Sequence, residues 1–129
     1  MAGPFVYIGT YKIKEGKLDE AKTRLQELVE VVEKNETRII AFNVYIDEAG
    51  TTVGIVQLHP DSASMETHMK VISEHVTDAF DYLDTELSEQ VYGAPSDALA
   101  AMLRAYGDPT AVTTFLPVHE AGFTRAVVR

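Results

Sequence analysis

The 129-residue chain has no cysteine and no tryptophan. Without thiols it has no disulfide framework, no thiolate nucleophile and no cysteine-ligated metal or cluster, and its redox compartment stays open. It also lacks any apolar run near the roughly 20 residues that a membrane-spanning helix needs. The opening MAGPFVYIG has no basic n-region of the kind a signal peptide carries, so a cytoplasmic protein is expected. Positive charge is scarce: eleven Lys and Arg stand against twenty Asp and Glu, a net charge of -9, and the basic residues are scattered. Such a balance repels phosphate backbones and anionic lipid surfaces, so neither nucleic acid nor membrane is an expected partner, and the excess acid serves solubility. GxGxxG, P-loop, HExxH, GxSxG and EF-hand patterns are all missing. The expectation is therefore no metal and no cofactor.

What is present fits one domain over residues 1–129, a length that buries roughly two-thirds of its unfolded surface. Residues 5–14, FVYIGTYKIK, alternate two sets of side chains and read as a strand covered on both faces. Leu18, Ala21, Leu25, Leu28 and Val32 then recur at helical steps, with a charged opposite face that includes the i,i+4 pair Glu20 and Arg24. RIIAFNVYIDEAGTTVGIVQLHP is a hairpin in which Gly50 supplies a positive φ. Pro60 ends it, and Asp61 or Ser62 caps a second helix whose buried stripe runs Met65, Met69, Ile72, Val76, Ala79, Phe80 and Leu83. A fourth strand is expected over 87–93. A short helix follows, opened by Pro95-Ser96-Asp97 and closed by Gly107 and Pro109, then a strand over 111–116 and a docked tail in which Arg125 is a lesser candidate to clamp an acidic ligand.

The order of elements predicts an α+β fold, a ferredoxin-like βαββαβ sandwich with an antiparallel sheet over residues 5–93, with a C-terminal helix-strand extension over 94–129. Helices on one face leave the other open, yet the hairpin strands are apolar on both sides. A second copy of the chain, packed sheet to sheet, would cover that face and make a homodimer. The extension could instead close a barrel end, reach onto the partner or shield that face.

Gln57, His59 and Asn43 are polar residues within apolar strand runs, so each either satisfies a neighbouring backbone group or faces a wet cavity. Gln57 and His59, two apart, share a face. His68 and His75 are seven apart on one side of the second helix, about 10.5 Å in rise and too far to share a metal without ligands from elsewhere. They are either partly exposed flank histidines or cavity-lining groups, and a metal site drawing on His59, Asp61, His75 or Asp78 is the remotest reading. Tyr7, Tyr11 and Tyr45 are core-edge aromatics or ligand contacts.

A turn Lys-x-Lys-Glu-Gly at residues 12–16, the acidic first helix, the hairpin and the strand-to-helix joint together resemble the dimeric α+β barrel superfamily, and within it the antibiotic biosynthesis monooxygenase-like domain. Members often carry Glu-x-Trp at the end of the third strand and a His nine residues after the Trp; here Gln57-Leu58-His59 and His68 stand at those places. The resemblance covers residues 5–93. It implies a ligand cavity between sheet and helices and oxygenation of phenolic polycyclic substrates or haem, in some members without metal or flavin. The missing Trp departs from the pattern. So does Gly9, which stands where haem-degrading relatives place an Asn, and this argues against haem degradation.

Two functions of different class follow. The first is a cofactor-independent monooxygenase acting on an aromatic small molecule, with His68 and His59 catalytic and Gln57, Asn43, Tyr7 and His75 at the ligand. The second is a non-catalytic small-molecule-binding or interaction module with the same fold, its interior plugged by aromatics such as Phe42 and Phe80.

Overall fold

A computed structural model describes residues 3–125. The chain runs β1 (Phe5–Ile13), α1 (Leu18–Asn35), β2 (Ala41–Ile46), β3 (Thr52–His59), α2 (Ser62–His75), a 3-10 turn (Ala79–Asp81), β4 (Leu83–Tyr92), α3 (Asp97–Tyr106) and β5 (Val112–Leu116). The sheet order is β2-β3-β1-β4-β5. The first four strands are antiparallel in the ferredoxin-like arrangement, and β5 adds to the β4 edge in parallel.

Local chemistry sets the boundaries. The carboxylate of Asp47 accepts from the backbone N–H groups of Thr51 and Thr52 and from the Thr51 hydroxyl, and Gly50 has φ 72, which closes the hairpin. Asp61 caps α2 by accepting from the Ser64 N–H, and Ser96 caps α3 through Leu99. The helix over Met65 to Leu83 expected from the apolar stripe ends early, at His75. Val76, Thr77 and Asp78 are poor helix formers, and Val76 is already extended. Leu83 instead begins β4, four residues before the expected start. Arg24 also departs from its expected partner: it pairs with Asp78 in the linker after α2 and with Glu27, rather than with Glu20.

The inward face of the sheet carries two apolar clusters. Ile13, Val53, Ile55, Tyr82 and Leu83 pack with Ala21 and Leu25 of α1, while Phe5, Tyr7 and Val91 pack with Met65 of α2 and Leu99 of α3. Leu99 is wholly buried. Of the three placements open to the extension, the structure has α3 on the helix side beside α2 and β5 on the sheet edge, so neither shields the outer face.

Two bulges shape β4. Thr10 faces Ser88 but Tyr11 faces Glu86, and Ile13 faces Leu83. Each irregularity gives β4 one residue more than β1, so Glu86 and Glu89, three apart, both point inward and are buried.

Candidate active site

Between the two apolar clusters lies a cavity of about 570 Å³. Tyr7 and Tyr11 of β1, Gln57 of β3, His68 of α2 and Glu86 of β4 are the main polar side chains on its walls, and the rest of the lining is largely apolar. α3 and the turn after it close one side through Leu103, Tyr106 and Asp108. Phe42 lines the cavity without filling it, and Phe80 is 70% exposed.

The histidine side is assembled where β3 meets α2. His59 is 0% exposed, and both its nitrogens are engaged: Nε2 lies 3.0 Å from Oε1 of Gln57 and Nδ1 lies 2.8 Å from Oγ of Ser64. Since Oε1 can only accept, Nε2 carries the proton and Nδ1 accepts from the serine hydroxyl. Burial, followed by the neighbouring His68, lowers the His59 pKa to about 4, which keeps the ring neutral. His59 is not among the residues that line the cavity. It holds the carbonyl end of Gln57, leaving the Gln57 amide N–H2 as the end free to meet a ligand.

His68 does line the cavity. Its Nδ1 lies 2.7 Å from Oε2 of Glu36, and both residues are buried, His68 at 4% and Glu36 at 5% exposure. Glu36 caps the C-terminus of α1, its N–H donating to the Val32 carbonyl, and the loop after it is anchored by the Arg38–Asp61 ion pair. The carboxylate fixes the Nδ1–H tautomer, so Nε2 is the basic nitrogen offered to a ligand. Phe42 lies against the His68 ring at 5.5 Å between centroids.

The opposite side is acidic. Burial, the opposing Tyr11 hydroxyl and the charge of Glu89 together place the Glu86 pKa at about 7, against an ordinary 4.5. Burial and the same carboxylates push the Tyr7 and Tyr11 hydroxyls well above the usual phenol range, so both stay protonated. Glu86 is 9% exposed, and among the described residues its Oε1 has no hydrogen-bond partner.

Tyr7, Gln57 and His68 thus meet in one cavity, with His59 directly behind Gln57. Two expected ligand contacts fall elsewhere. Asn43 pairs with Val56 on the outward face and is exposed, because Phe42 and Val44 take the inward positions of β2. His75, at the end of α2, is exposed beside a separate small groove with Arg24 and Glu27. Arg125 lies over the exposed Phe123 ring at 4.9 Å, away from the cavity. No cluster of three or more His, Asp or Glu side chains suited to a metal occurs among the described residues, and none of their helices is long and apolar enough to cross a membrane. Glu36, Glu86 and Glu89 were not singled out from the sequence.

No protein-family model and no curated protein matches the chain. Solved structures do. MupZ from Pseudomonas fluorescens is similar, with 19% identity and a TM-score of 0.78 over 97% of this chain and 91% of that one, a span that takes in the α3–β5 extension. A putative antibiotic biosynthesis monooxygenase from Bacteroides thetaiotaomicron aligns with 17% identity and a TM-score of 0.57 over 65% of this chain and 83% of that one. Another from Chloroflexus aurantiacus aligns with 12% identity and a TM-score of 0.58 over 69% and 90%. The chain has the fold of the antibiotic biosynthesis monooxygenase-like dimeric α+β barrel proteins.

Proposed function

We propose that the chain is an enzyme that binds an aromatic small molecule in this cavity and oxygenates it without a cofactor. The observation that carries the reading is the buried His68–Glu36 pair on the wall of a largely apolar cavity of about 570 Å³. A buried histidine whose Nδ1–H is held by a carboxylate is a general base at Nε2. It would take a proton from a phenol or an activated CH2, and the resulting anion would pass electrons to O2. One oxygen atom ends as a carbonyl on the substrate carbon, the other leaves with two substrate hydrogens as water, and the substrate supplies all the electrons. Names of fold neighbours that are putative antibiotic biosynthesis monooxygenases support this direction. The non-catalytic alternative is less well supported, since it expects Phe42 and Phe80 to plug the interior.

The working form is a homodimer. The outward sheet face carries Val6, Ile8, Val56 and Leu58, with Tyr45 62% exposed beside them, an apolar surface suited to a second copy. Sizing by light scattering checks this; a monomer at micromolar concentration would remove it.

The test of the reaction is oxygen uptake with anthrone and its hydroxylated derivatives in chelator-treated buffer. Native protein should accelerate uptake over buffer, and His68→Gln should abolish most of the acceleration. Tight binding of these compounds with uptake no faster than buffer would remove monooxygenation.

A further inference from the structure

The acid-base groups on the β1–β4 side of the cavity take no part in proton abstraction by His68. Tyr7 and Tyr11 project from the same face of β1, and Glu86 and Glu89 are brought to them by the β4 bulge. Gly9, between the tyrosines, faces Glu89 across the ladder. A Cβ there would stand 2.8 Å from the Tyr11 hydroxyl oxygen and 2.9 Å from its Cε1, so the Tyr11 ring folds back over space that only glycine leaves open. Tyr7, Glu86 and Glu89 are buried, and Tyr7, Tyr11 and Glu86 line the cavity.

A carboxyl group on the wall of a largely apolar cavity favours its protonated form unless a cation joins it. Neither lysine nor arginine is among the described cavity-lining residues. Glu86 is therefore kept neutral by a proton rather than by an ion pair, in keeping with a pKa raised to about 7. Glu86 Oε1 is left without a partner, and a buried polar atom in that state costs stability unless something supplies one.

We infer that Glu86, beside Tyr7, Tyr11 and Gly9, is a ligand-recognition site whose protonated carboxyl donates a hydrogen bond from its unpartnered oxygen to a neutral carbonyl oxygen. The ligand class is an uncharged aromatic ketone or quinone-like molecule; an aromatic carboxylate is repelled. The inference rests on the cavity being a ligand site, and it adds an oxygen anchor facing away from the His68 base.

The test uses 6-propionyl-2-(dimethylamino)naphthalene, whose emission shifts to the red when its carbonyl accepts a hydrogen bond, with 2-ethylnaphthalene as the hydrocarbon control and 2-naphthoate as the anion. For the native chain, affinity for the ketone should fall about tenfold between pH 6 and pH 8.5, the value of one hydrogen bond, and the bound emission should move to the blue. The hydrocarbon should bind equally at both pH values, and the naphthoate more weakly than either. Glu86→Gln should flatten the ketone's pH dependence while hydrocarbon binding, which reports an intact cavity, persists. His68 also faces the cavity, but its contribution survives in Glu86→Gln and is removed by difference. A ketone affinity that is flat in the native chain, or that falls equally in Glu86→Gln, overturns the inference and leaves the cavity reading standing. So does 2-naphthol binding more tightly as pH rises, which would make Glu86 an acceptor. Failure of ketone and hydrocarbon alike overturns the cavity reading and the inference with it.

Discussion

The two polar sides of the cavity are built in opposite ways. The histidine side is local in sequence: Gln57, His59, Ser64 and His68 fall within twelve consecutive residues at one strand-to-helix joint, and only Glu36 arrives from afar. The carboxylic side depends on long-range pairing, since Tyr7 and Tyr11 meet Glu86 and Glu89 only because β1 and β4 lie side by side with β4 bulged. Burial acts on both, with opposite consequences. It strips a proton from His59, behind Gln57, and retains one on Glu86, on the cavity wall. With His68 as the proposed base, such a site accepts a proton at one wall and offers one, from Glu86, at the other.

The largest expected effect breaks the contrast at the histidine side. His68→Gln should lower turnover of an oxygenated anthrone about 100-fold or more, the usual reach of a general base. Glu36→Ala should lower it about tenfold and also destabilise the fold by about 1–3 kcal/mol, since the buried Nδ1–H loses its acceptor. Glu36→Gln, which keeps an oxygen acceptor in place, should recover most of the stability. Equal turnover in His68→Gln and the native protein would leave the base unassigned.

The next effect is on stability against pH. Unfolded His59 binds a proton below pH 6.5 that the folded ring refuses until about pH 4, so this group makes stability rise with pH across that window. Folded Glu86 keeps its proton to about pH 7 while the unfolded side chain loses it at 4.5, so this group makes stability fall as pH rises. Between pH 4.5 and 6.5 the two slopes oppose each other. Relative to the native protein, Glu86→Gln should gain a melting temperature that climbs with pH, and His59→Gln one that declines, by about 3–5 °C per pH unit in each case. Parallel melting curves for the two variants would show that burial does not shift the two groups in opposite directions.

The same contrast explains what could be read from the chain. The strand-helix-hairpin-helix order, the Gly50 turn and the Asp61 and Ser96 caps are local signals, and each stands where its residues put it. Tyr7, Gln57 and His68 were legible as cavity residues for the same reason: period-two strands and one short joint fix where they point. Asn43 needed the register of β2, which sets Phe42 inward and Asn43 outward. His75 needed the end of α2, which the continuing apolar residues Val76, Ala79 and Phe80 concealed. Glu86 and Glu89 were hidden most thoroughly, since three residues apart in a regular strand means opposite faces. Only the inserted residue of the bulge reverses that. Glu36 could have been suspected only as a carboxylate just past the last helical turn, an ordinary place for a solvated charge.

The smallest expected effect is at Gly9, where the acidic wall can be disturbed without touching its charges. Gly9→Ala adds one methyl group to a strand position whose backbone any residue adopts, since its φ is not positive. The new Cβ collides with the Tyr11 hydroxyl and ring edge rather than with backbone, so the ring swings aside and the fold loses little, about 1 kcal/mol or less. With Tyr11 displaced, Glu86 loses the hydroxyl that opposes its protonation, so its pKa should rise further above 7. The pH at which the naphthyl ketone weakens should therefore move upward in Gly9→Ala, while binding of 2-ethylnaphthalene changes by less than about twofold. A downward move would mean that Tyr11 holds the proton on Glu86 rather than opposing it.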